Sequence, residues 1–231
     1  MISPAVEDYL KTIYKLQTGR STRNAVTTSL IAENMKVAPA SATKMIKKLA
    51  ELNLLEHAPY RGVELTRSGE MIALEIIRHH RLLELYLSEA LGYRWDEVDA
   101  EADRLEHAIS EEFEDRIDEA LGHPRVGAHG EPIPTKQGNM DRVDYLSLSE
   151  LQVGQPAVIR EVNDHSSEML RYMEKMGLQL GACVEIRSKA PFRGPLLLQV
   201  DSREEEQSLG LEVAHNIFVD PTNAAPGRPK R

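Results

Sequence analysis

The sequence contains almost no cysteine: Cys183 is the only one in 231 residues. A single thiol excludes an intrachain disulfide framework and a cysteine-rich zinc site. We expect this thiol to behave as a small apolar side chain. The first eight residues also lack the basic start and the apolar run of a signal peptide. These absences together fit a reducing compartment, so we expect a cytoplasmic protein.

Long apolar runs and an excess of positive charge are missing as well. No stretch approaches the roughly 18 uninterrupted apolar residues of a membrane helix, so no membrane partner is expected. The chain has 28 Lys and Arg against 37 Asp and Glu, a net charge of −9. This balance excludes a uniformly basic coat for nucleic acid but allows a local basic patch.

The charge is divided unequally along the chain. Residues 1–75 carry ten basic and eight acidic side chains, whereas residues 84–119 carry fourteen acidic side chains and three arginines. The N-terminal part, residues 1–75, could therefore bind the phosphates of a nucleic acid. The middle part would repel itself unless it is solvated or neutralised by bound cations.

The N-terminal segment shows helical periodicity followed by a hairpin pattern. A Ser-Pro pair is a start signal for the first helix, glycine ends it, and a second proline starts the third helix. Three helices followed by a two-stranded hairpin is the order of a winged helix-turn-helix. The predicted boundaries are Ser3–Gly19, Thr28–Met35 and Pro39–Leu52 for the helices, and Leu54–Ala58 and Val63–Leu65 for the strands.

The start of the third helix has the composition of a DNA-reading surface. Its small side chains permit close approach to base edges, its hydroxyls can donate or accept, and its methyl groups can touch thymine methyls. Lysines on this helix and an arginine in the hairpin turn can meet phosphates. A small helical domain with exposed lysines is the alternative. The predicted DNA-binding residues are Pro39, Ala40, Ser41, Thr43, Lys44, Lys47, Lys48 and Arg61.

The acidic middle part predicts three further helices. A long helix is capped by Thr66 and ends near Leu91, a second is capped by Asp96, and a third is capped by Ser110 and ends at Leu121. Two sets of metal-ligating side chains follow helical spacing on the first two of these helices. The sets are His80 and Glu84 on the long helix, and Asp99, Asp103, Glu106 and His107 on the next.

Carboxylates and imidazoles packed so densely are costly when they face no cation. Asp103 and Glu106 each disfavour the ionised form of the other, and a divalent cation reverses that effect. Oxygen-rich donor sets with one or two imidazoles suit Mn(II) or Fe(II), although they discriminate poorly against Co(II), Ni(II) and Zn(II). A solvated acidic face with incidental histidines explains the same spacing equally well.

Four segments carry a resemblance to a known family: Glu7–Tyr14, His80–Glu84, Glu101–His107 and His129–Pro134. Together they resemble the DtxR/MntR family of iron- or manganese-dependent transcriptional regulators, over nearly the whole chain. The resemblance implies one metal site formed by Asp8, Asp103, Glu106 and His107. It also implies a neighbouring or shared site formed by His80 and Glu84, to which Asp99 would add a carboxylate.

The resemblance also bears on the choice of metal. Carboxylates at Asp8 and Asp103 resemble the manganese-sensing members, so we expect Mn(II) first and Fe(II) second. The sequence departs from that type at Lys11, where a second carboxylate is common. A protonated lysine cannot ligate a metal, and this departure argues against a binuclear manganese arrangement.

The C-terminal third changes to short strands after a linker rich in glycine and proline, residues 122–144. It resembles the SH3-like (FeoA-type) domain of the family, in which Glu168 and His165 are the nearest candidate ligands. The expected fold is mainly α with a small β part: a winged helix-turn-helix, a helical metal-binding and dimerisation domain, and an SH3-like β-barrel. The expected segments are 1–70, 71–140 and 145–220, with a disordered tail at 221–231.

The resemblance implies a metal-dependent transcriptional regulator, and we expect it to act as a repressor. It would bind a palindromic operator on double-stranded DNA as a homodimer. It would not be an enzyme. Two alternatives remain open. A metal-carboxylate enzyme on a helical bundle would need the paired Glu-x-x-His motifs that the sequence lacks. A winged-helix regulator that responds to an organic effector would bind DNA equally well with and without a chelator.

Overall fold

The computed structural model describes residues 2–19, 26–58, 62–163, 166–201 and 205–221. Arg61, His165 and the predicted tail beyond Pro221 therefore lie outside the described residues. The chain divides into two compact units. The first comprises Met1–Leu83, Ala102–His123 and Ile133–Met140, and the second comprises Glu84–Glu101, Pro124–Pro132 and Asp141–Arg231.

The N-terminal part of the first unit has the element order that the sequence predicts. Pro4 occupies the first turn of α1, where its missing N–H costs nothing. The Thr27 hydroxyl caps α2 by accepting from the Leu30 N–H at 3.2 Å. Strands β1 and β2 pair antiparallel with Leu55 opposite Leu65. The elements are α1 (Pro4–Thr18), α2 (Thr28–Asn34), α3 (Pro39–Glu51), β1 (Leu55–Ala58) and β2 (Gly62–Leu65).

One apolar core holds these three helices and the hairpin together. Full burial of such aliphatic side chains contributes on the order of 1.5–3 kcal/mol each. Helix α3 ends at Glu51, one residue before the predicted boundary, and Leu52 is 50% exposed. The side chains buried most completely are Leu10, Ile13, Ile31 and Leu49.

The next three helices along the chain are α4 (Arg67–Glu89), α5 (Val98–Leu105) and α6 (Glu111–Ala120). Thr66 and Ser110 cap α4 and α6 as predicted, by accepting from Gly69 N and Phe113 N at 3.2 Å each. Gly69 also permits close packing, because a Cβ there would lie 2.0 Å from the Leu54 carbonyl oxygen. None of the helices in the described ranges is both long and apolar enough to cross a bilayer.

Two expectations about α5 are wrong. The helix ends at Leu105, so Glu106 and His107 lie in the turn that follows it and not on a continuous helical stripe. Asp96 does not cap the helix, which begins at Val98. Its buried carboxylate accepts instead from the guanidinium groups of Arg94 and Arg171, at 2.9 and 3.0 Å.

The C-terminal part of the second unit is an antiparallel sheet. In the described part of the chain its six strands have the order β3-β8-β4-β5-β6-β7, and their inner faces contribute to a separate core that includes Met173 and Met176. Gly177 ends α7 in the left-handed conformation at φ 74°. The elements are β3 (Leu146–Ser147), β4 (Pro156–Val162), α7 (Ser167–Met176), β5 (Cys183–Lys189), β6 (Leu196–Val200), β7 (Gln207–Leu209), α8 (Leu211–His215) and β8 (Ile217–Asp220).

Candidate metal centre and nucleic-acid interface

Helix α3 presents the predicted DNA-binding side chains to solvent. Pro39, Ala40, Ser41 and Thr43 are exposed at its N-terminal end, while Ala42 between them is buried. The Thr43 hydroxyl donates to the Pro39 carbonyl oxygen at 2.8 Å, so it retains an acceptor and a methyl group for contact with a base.

The three predicted lysines of α3 are exposed too. Lys44, Lys47 and Lys48 lie off the buried stripe formed by Ile46 and Leu49. Exposure leaves their ammonium groups available to phosphates, which positions a protein on DNA without specifying the sequence. The assignment of these residues to DNA remains a prediction.

The predicted metal ligands of the first unit gather around Glu106, whose side chain is 1% exposed. The turn after α5 fixes this residue, because the Glu106 N–H donates to the Ala102 carbonyl at 2.9 Å. His80 of α4 places Nδ1 2.6 Å from Glu106 Oε2. Burial opposes ionisation of Glu106, but the hydrogen bond from His80 and the charge of Lys11 outweigh it and lower its pKa.

Lys11 of α1 reaches into the same cluster. Its ammonium nitrogen lies 2.9 and 2.8 Å from the two Glu106 oxygens, 3.0 Å from Asp103 Oδ1 and 3.1 Å from His80 Nδ1. Burial would lower the pKa of Lys11, but the charges of Glu106 and Asp103 prevail and raise it. The clustered carboxylates therefore meet a cation supplied by the protein itself, which the sequence reasoning did not foresee.

A second group of ligand atoms lies on the other side of Glu106. His107 Nε2 is 2.9 Å from Asp8 Oδ1 and 3.5 Å from Glu106 Oε1. Burial raises the pKa of Asp8, against the opposing charge of His107. Potential ligand atoms of Asp8, Glu106 and His107 all lie within 4.8 Å of one another, as do those of His80, Asp103 and Glu106.

Glu7, which is not among the predicted ligands, completes this group. Its Oε2 accepts from His107 Nδ1 at 2.6 Å, which orients the ring so that Nε2 faces Asp8 and Glu106. A carboxylate on the outer nitrogen of a ligating histidine is a common support in metal sites. The available signal was its position next to Asp8 at the start of the family-like segment.

The chemistry of these donors fits a divalent ion. Asp8, Glu106 and His107 offer two carboxylates and an imidazole, a set that suits Mn(II) or Fe(II). The Asp8 side chain is 43% exposed, so an ion can reach the group from solvent. Asp103 faces Lys11 across 3.0 Å and belongs to the other half of the cluster.

The boundary between the two units falls between Leu83 and Glu84. The predicted site of His80 with Glu84 and Asp99 therefore remains a prediction. Asp99 is half-buried in the first turn of α5. Glu168, the candidate from the C-terminal domain, is exposed at the start of α7.

Within the second unit, Glu84 is grouped with two residues of the His129–Pro134 segment. Potential ligand atoms of Glu84, His129 and Glu131 lie within 4.8 Å of one another, and all three residues are buried. The imidazole Nδ1 of His129 is 3.4 Å from Glu84 Oε1, and its Nε2 is 3.0 Å from the Trp95 carbonyl oxygen. Burial opposes the charged imidazole, but Glu84 raises its pKa. From the sequence alone, His129 and Glu131 were recognisable only as part of the His129–Pro134 segment.

The close approach of this segment to β4 requires Gly130. It adopts φ +88°, and a Cβ there would lie 2.0 Å from the Arg160 carbonyl oxygen. The Val162 N–H also donates to the His129 carbonyl at 2.9 Å. Strand β4 thereby fixes the position of His129.

A further buried cluster in the first unit surrounds Glu114 of α6. Arg78 Nε donates to Glu114 Oε1, and His79 Nε2 lies 3.3 Å from Glu114 Oε2. Arg78 also contacts Asp118 at 3.1 Å and the Pro134 carbonyl at 3.0 Å. Burial opposes ionisation of Glu114, but the hydrogen bonds from His79 and Arg78 lower its pKa to about 2.

Three family models match consecutive parts of the chain. The iron dependent repressor N-terminal DNA binding domain matches residues 1–63. The iron dependent repressor metal binding and dimerisation domain matches residues 66–135, and the FeoA domain matches residues 146–221.

Individual proteins are similar over the whole chain or over part of it. The iron-dependent repressor IdeR of Mycobacterium bovis is 30% identical over 228 residues, which cover 93% of this chain and 96% of the relative. The regulator MntR of Oceanobacillus iheyensis is 33% identical over 123 residues, 53% of this chain and 81% of the relative.

A solved structure of a manganese-dependent transcriptional repressor in complex with manganese superposes with a TM-score of 0.85 at 36% identity. The match covers 93% of this chain and 98% of that one. These findings confirm the fold class and the resemblance carried by the four motifs. The chain belongs to the DtxR/MntR family of iron- and manganese-dependent transcriptional repressors.

Proposed function

We propose that this protein is a repressor that binds a palindromic operator as a homodimer when it holds Mn(II), or with second preference Fe(II), and thereby controls metal-ion homeostasis in the cytoplasm. The relatives whose names specify iron- or manganese-dependent repression support the proposal. The oxygen-rich donor set, which contains no thiolate among Asp8, Glu106 and His107, supports the order of the two metals.

The observation that carries the proposal is the convergence of three elements on Glu106. Helix α1 of the DNA-binding domain contributes Asp8, α4 contributes His80, and the turn after α5 contributes Glu106 and His107. A divalent ion bound by these residues would offset the repulsion between their carboxylates. Metal binding would thus hold α1 against the helices behind it, and favour one orientation of α3 for DNA.

A twofold symmetric dimer explains how the orientation of α3 would affect DNA binding. In a homodimer, two copies of α3 face successive major grooves, and their separation must match the roughly 34 Å of one helical turn. Holding α1 in place in both subunits would fix that separation. The match to a dimerisation domain over residues 66–135 supports this part of the proposal.

A DNA-binding titration tests the function directly. Duplexes would be selected from a random library with the full chain in Mn(II), and their affinity measured with Mn(II), Fe(II), Zn(II) and excess chelator. Allosteric coupling of about 1–3 kcal/mol predicts operator binding roughly 5- to 150-fold tighter with metal. Equal affinity in chelator would reject the proposal and favour a regulator that responds to an organic effector.

Two matched variants connect the effect to the cluster. Glu106→Gln removes a buried carboxylate at its centre, and we expect it to abolish the stimulation by Mn(II). Glu112→Gln removes the same charge from a side chain that is 83% exposed on α6, and it should respond as the wild type does. Stimulation that persists in Glu106→Gln would contradict the site.

The proposal includes no catalytic step. The metal-carboxylate enzyme considered above would instead turn over a substrate when it is loaded with Mn(II) or Fe(II). We expect oxidase and hydrolase assays of the loaded protein to give no turnover above that of the free metal ion. Turnover lost in Glu106→Gln but retained in Glu112→Gln would favour the enzyme.

A further inference from the structure

We propose that the Lys11 ammonium serves as a fixed cation of the Glu106 cluster, so that this cluster takes one divalent ion, at Asp8, Glu106 and His107, and not two. The inference rests on the proposed function only in assuming that the cluster binds metal. It assigns Lys11 as the residue that sets the number of ions.

The Lys11 ammonium makes the contacts with carboxylate oxygens that a bound cation would make. Its three ammonium protons have three carboxylate oxygens within reach, one of Asp103 and two of Glu106, at 2.8–3.0 Å. The residue is 8% exposed, so water competes little for these bonds. Few lysines are buried so deeply without such partners.

The same atoms are those that a second metal ion would need. His80, Asp103 and Glu106 form a group of potential ligands, and the Lys11 nitrogen lies within 3.1 Å of an atom of each. A protonated lysine cannot ligate, and it repels a divalent ion placed a few ångströms away. The ammonium therefore occupies this half of the cluster.

The other half remains suited to an ion. Asp8 and His107 do not contact Lys11 at hydrogen-bonding distance in the described structure, and His107 Nε2 faces Asp8 Oδ1 at 2.9 Å. Glu106 Oε1 lies 3.5 Å from the same nitrogen. Glu106 is thus shared between the ammonium on one side and the group formed with Asp8 and His107 on the other.

Charge supports the same count. Asp8, Asp103 and Glu106 supply three negative charges, which one ammonium and one divalent ion neutralise. A second divalent ion would leave an excess of two positive charges, and Glu7, which contacts His107, could offset only one of them. A single ion is therefore the occupancy that leaves the least uncompensated charge.

The decisive measurement uses Mn(II) as its own probe. Equilibrium dialysis of the full chain gives the number of bound ions, and electron paramagnetic resonance detects exchange coupling between ions about 4 Å apart, the spacing of two-metal sites. We expect the wild type to show uncoupled Mn(II). Lys11→Glu should bind one ion more per chain and show a coupled signal, since it exchanges the ammonium for a ligand.

Two further variants keep the test decisive. Lys11→Met removes the ammonium without adding a ligand, which frees His80, Asp103 and Glu106. It should therefore gain a second ion that binds more weakly than the one gained by Lys11→Glu. Asp8→Asn in the wild-type background should lose the ion of this cluster, which separates it from ions bound elsewhere. If Lys11→Glu does not fold, the wild-type spectrum and the Asp8→Asn difference still decide the count.

Coupled Mn(II) in the wild type, no ion lost in Asp8→Asn, or no ion gained by folded Lys11→Glu would each overturn the inference. These results are obtained without DNA, so they are independent of the function. One uncoupled ion together with metal-independent operator binding would refute the proposed function and leave the role of Lys11 intact.

Discussion

Two consecutive histidines of α4 contact two different buried carboxylates. His79 contacts Glu114, and His80 contacts Glu106. The carboxylates are 3% and 1% exposed, and the pKa of each lies below its ordinary value. By burial and histidine contact alone the two clusters would be equally good candidates for a metal site.

Their cationic partners distinguish them. Glu114 receives a guanidinium from Arg78, which is permanently charged and also contacts Asp118 and the Pro134 carbonyl. Glu106 receives the ammonium of Lys11, and beside it lie Asp8 and His107. The first cluster is closed by an ion pair, whereas in the second the Asp8 carboxylate contacts His107 and not the ammonium. The balance of charge, more than the number of ligating residues, therefore makes the Glu106 cluster the better candidate for a metal site.

Removal of Glu114 should have the largest effect on stability. Glu114→Ala leaves Arg78 buried with only part of its partners, and breaking a buried pair in this way costs about 3–5 kcal/mol. Thermal unfolding followed by circular dichroism should show a clear decrease in Tm, while the folded protein keeps its Mn(II) stimulation. Glu112→Ala is the control, since its side chain is exposed. An unchanged Tm would mean that this cluster is not structural.

The same carboxylate should make stability fall in acid. Because the folded pKa of Glu114 is about 2 and its ordinary value is 4.5, its contribution is complete above pH 4.5 and is lost as the pH falls toward 2. The shift corresponds to at most about 3 kcal/mol. His79, whose pKa is raised, is protonated in both the folded and the unfolded protein over this pH range. It therefore does not change the pH dependence of stability.

Urea unfolding in chelator at pH 6, 4 and 3 measures this contribution. The stability difference between wild type and Glu114→Gln should shrink as the pH falls, and taking the difference removes the parallel contribution of Glu106. A difference that stays constant with pH would show that Glu114 is not ionised in the folded protein.

The helices, and the exposure of the side chains on α3, could be predicted because their signals are local. Pro4, Thr66 and Ser110 mark helix starts through their own backbone chemistry. The exposure of Lys44 and Lys47 follows from their spacing relative to the buried Ile46. These features depend on residues within one or two turns of one another.

The composition of the cluster could be predicted only in part, because it depends on distant contacts. Glu7 and Lys11 share a face of α1 with Asp8, but the sequence does not show which charges that face meets some 95 residues later. The end of α5 before Glu106 could not be predicted, because the helical spacing of the apolar residues Ala102, Leu105 and Ile109 continues beyond it. The sequence thus indicated that Lys11 cannot ligate a metal, but not that its ammonium contacts Asp103 and Glu106.

The smallest of these effects concerns the group beside Lys11. Glu7→Gln weakens the acceptor that orients His107, and losing such a support reduces metal affinity about 10- to 100-fold, or roughly 1.4–2.7 kcal/mol. Competition with a fluorescent chelator would measure the Kd for Mn(II), with Glu112→Gln as the matched control. Stability should change little, because Glu7 is partly exposed and no cation is left buried. Equal affinity in both variants would mean that His107 is oriented by the turn after α5 alone.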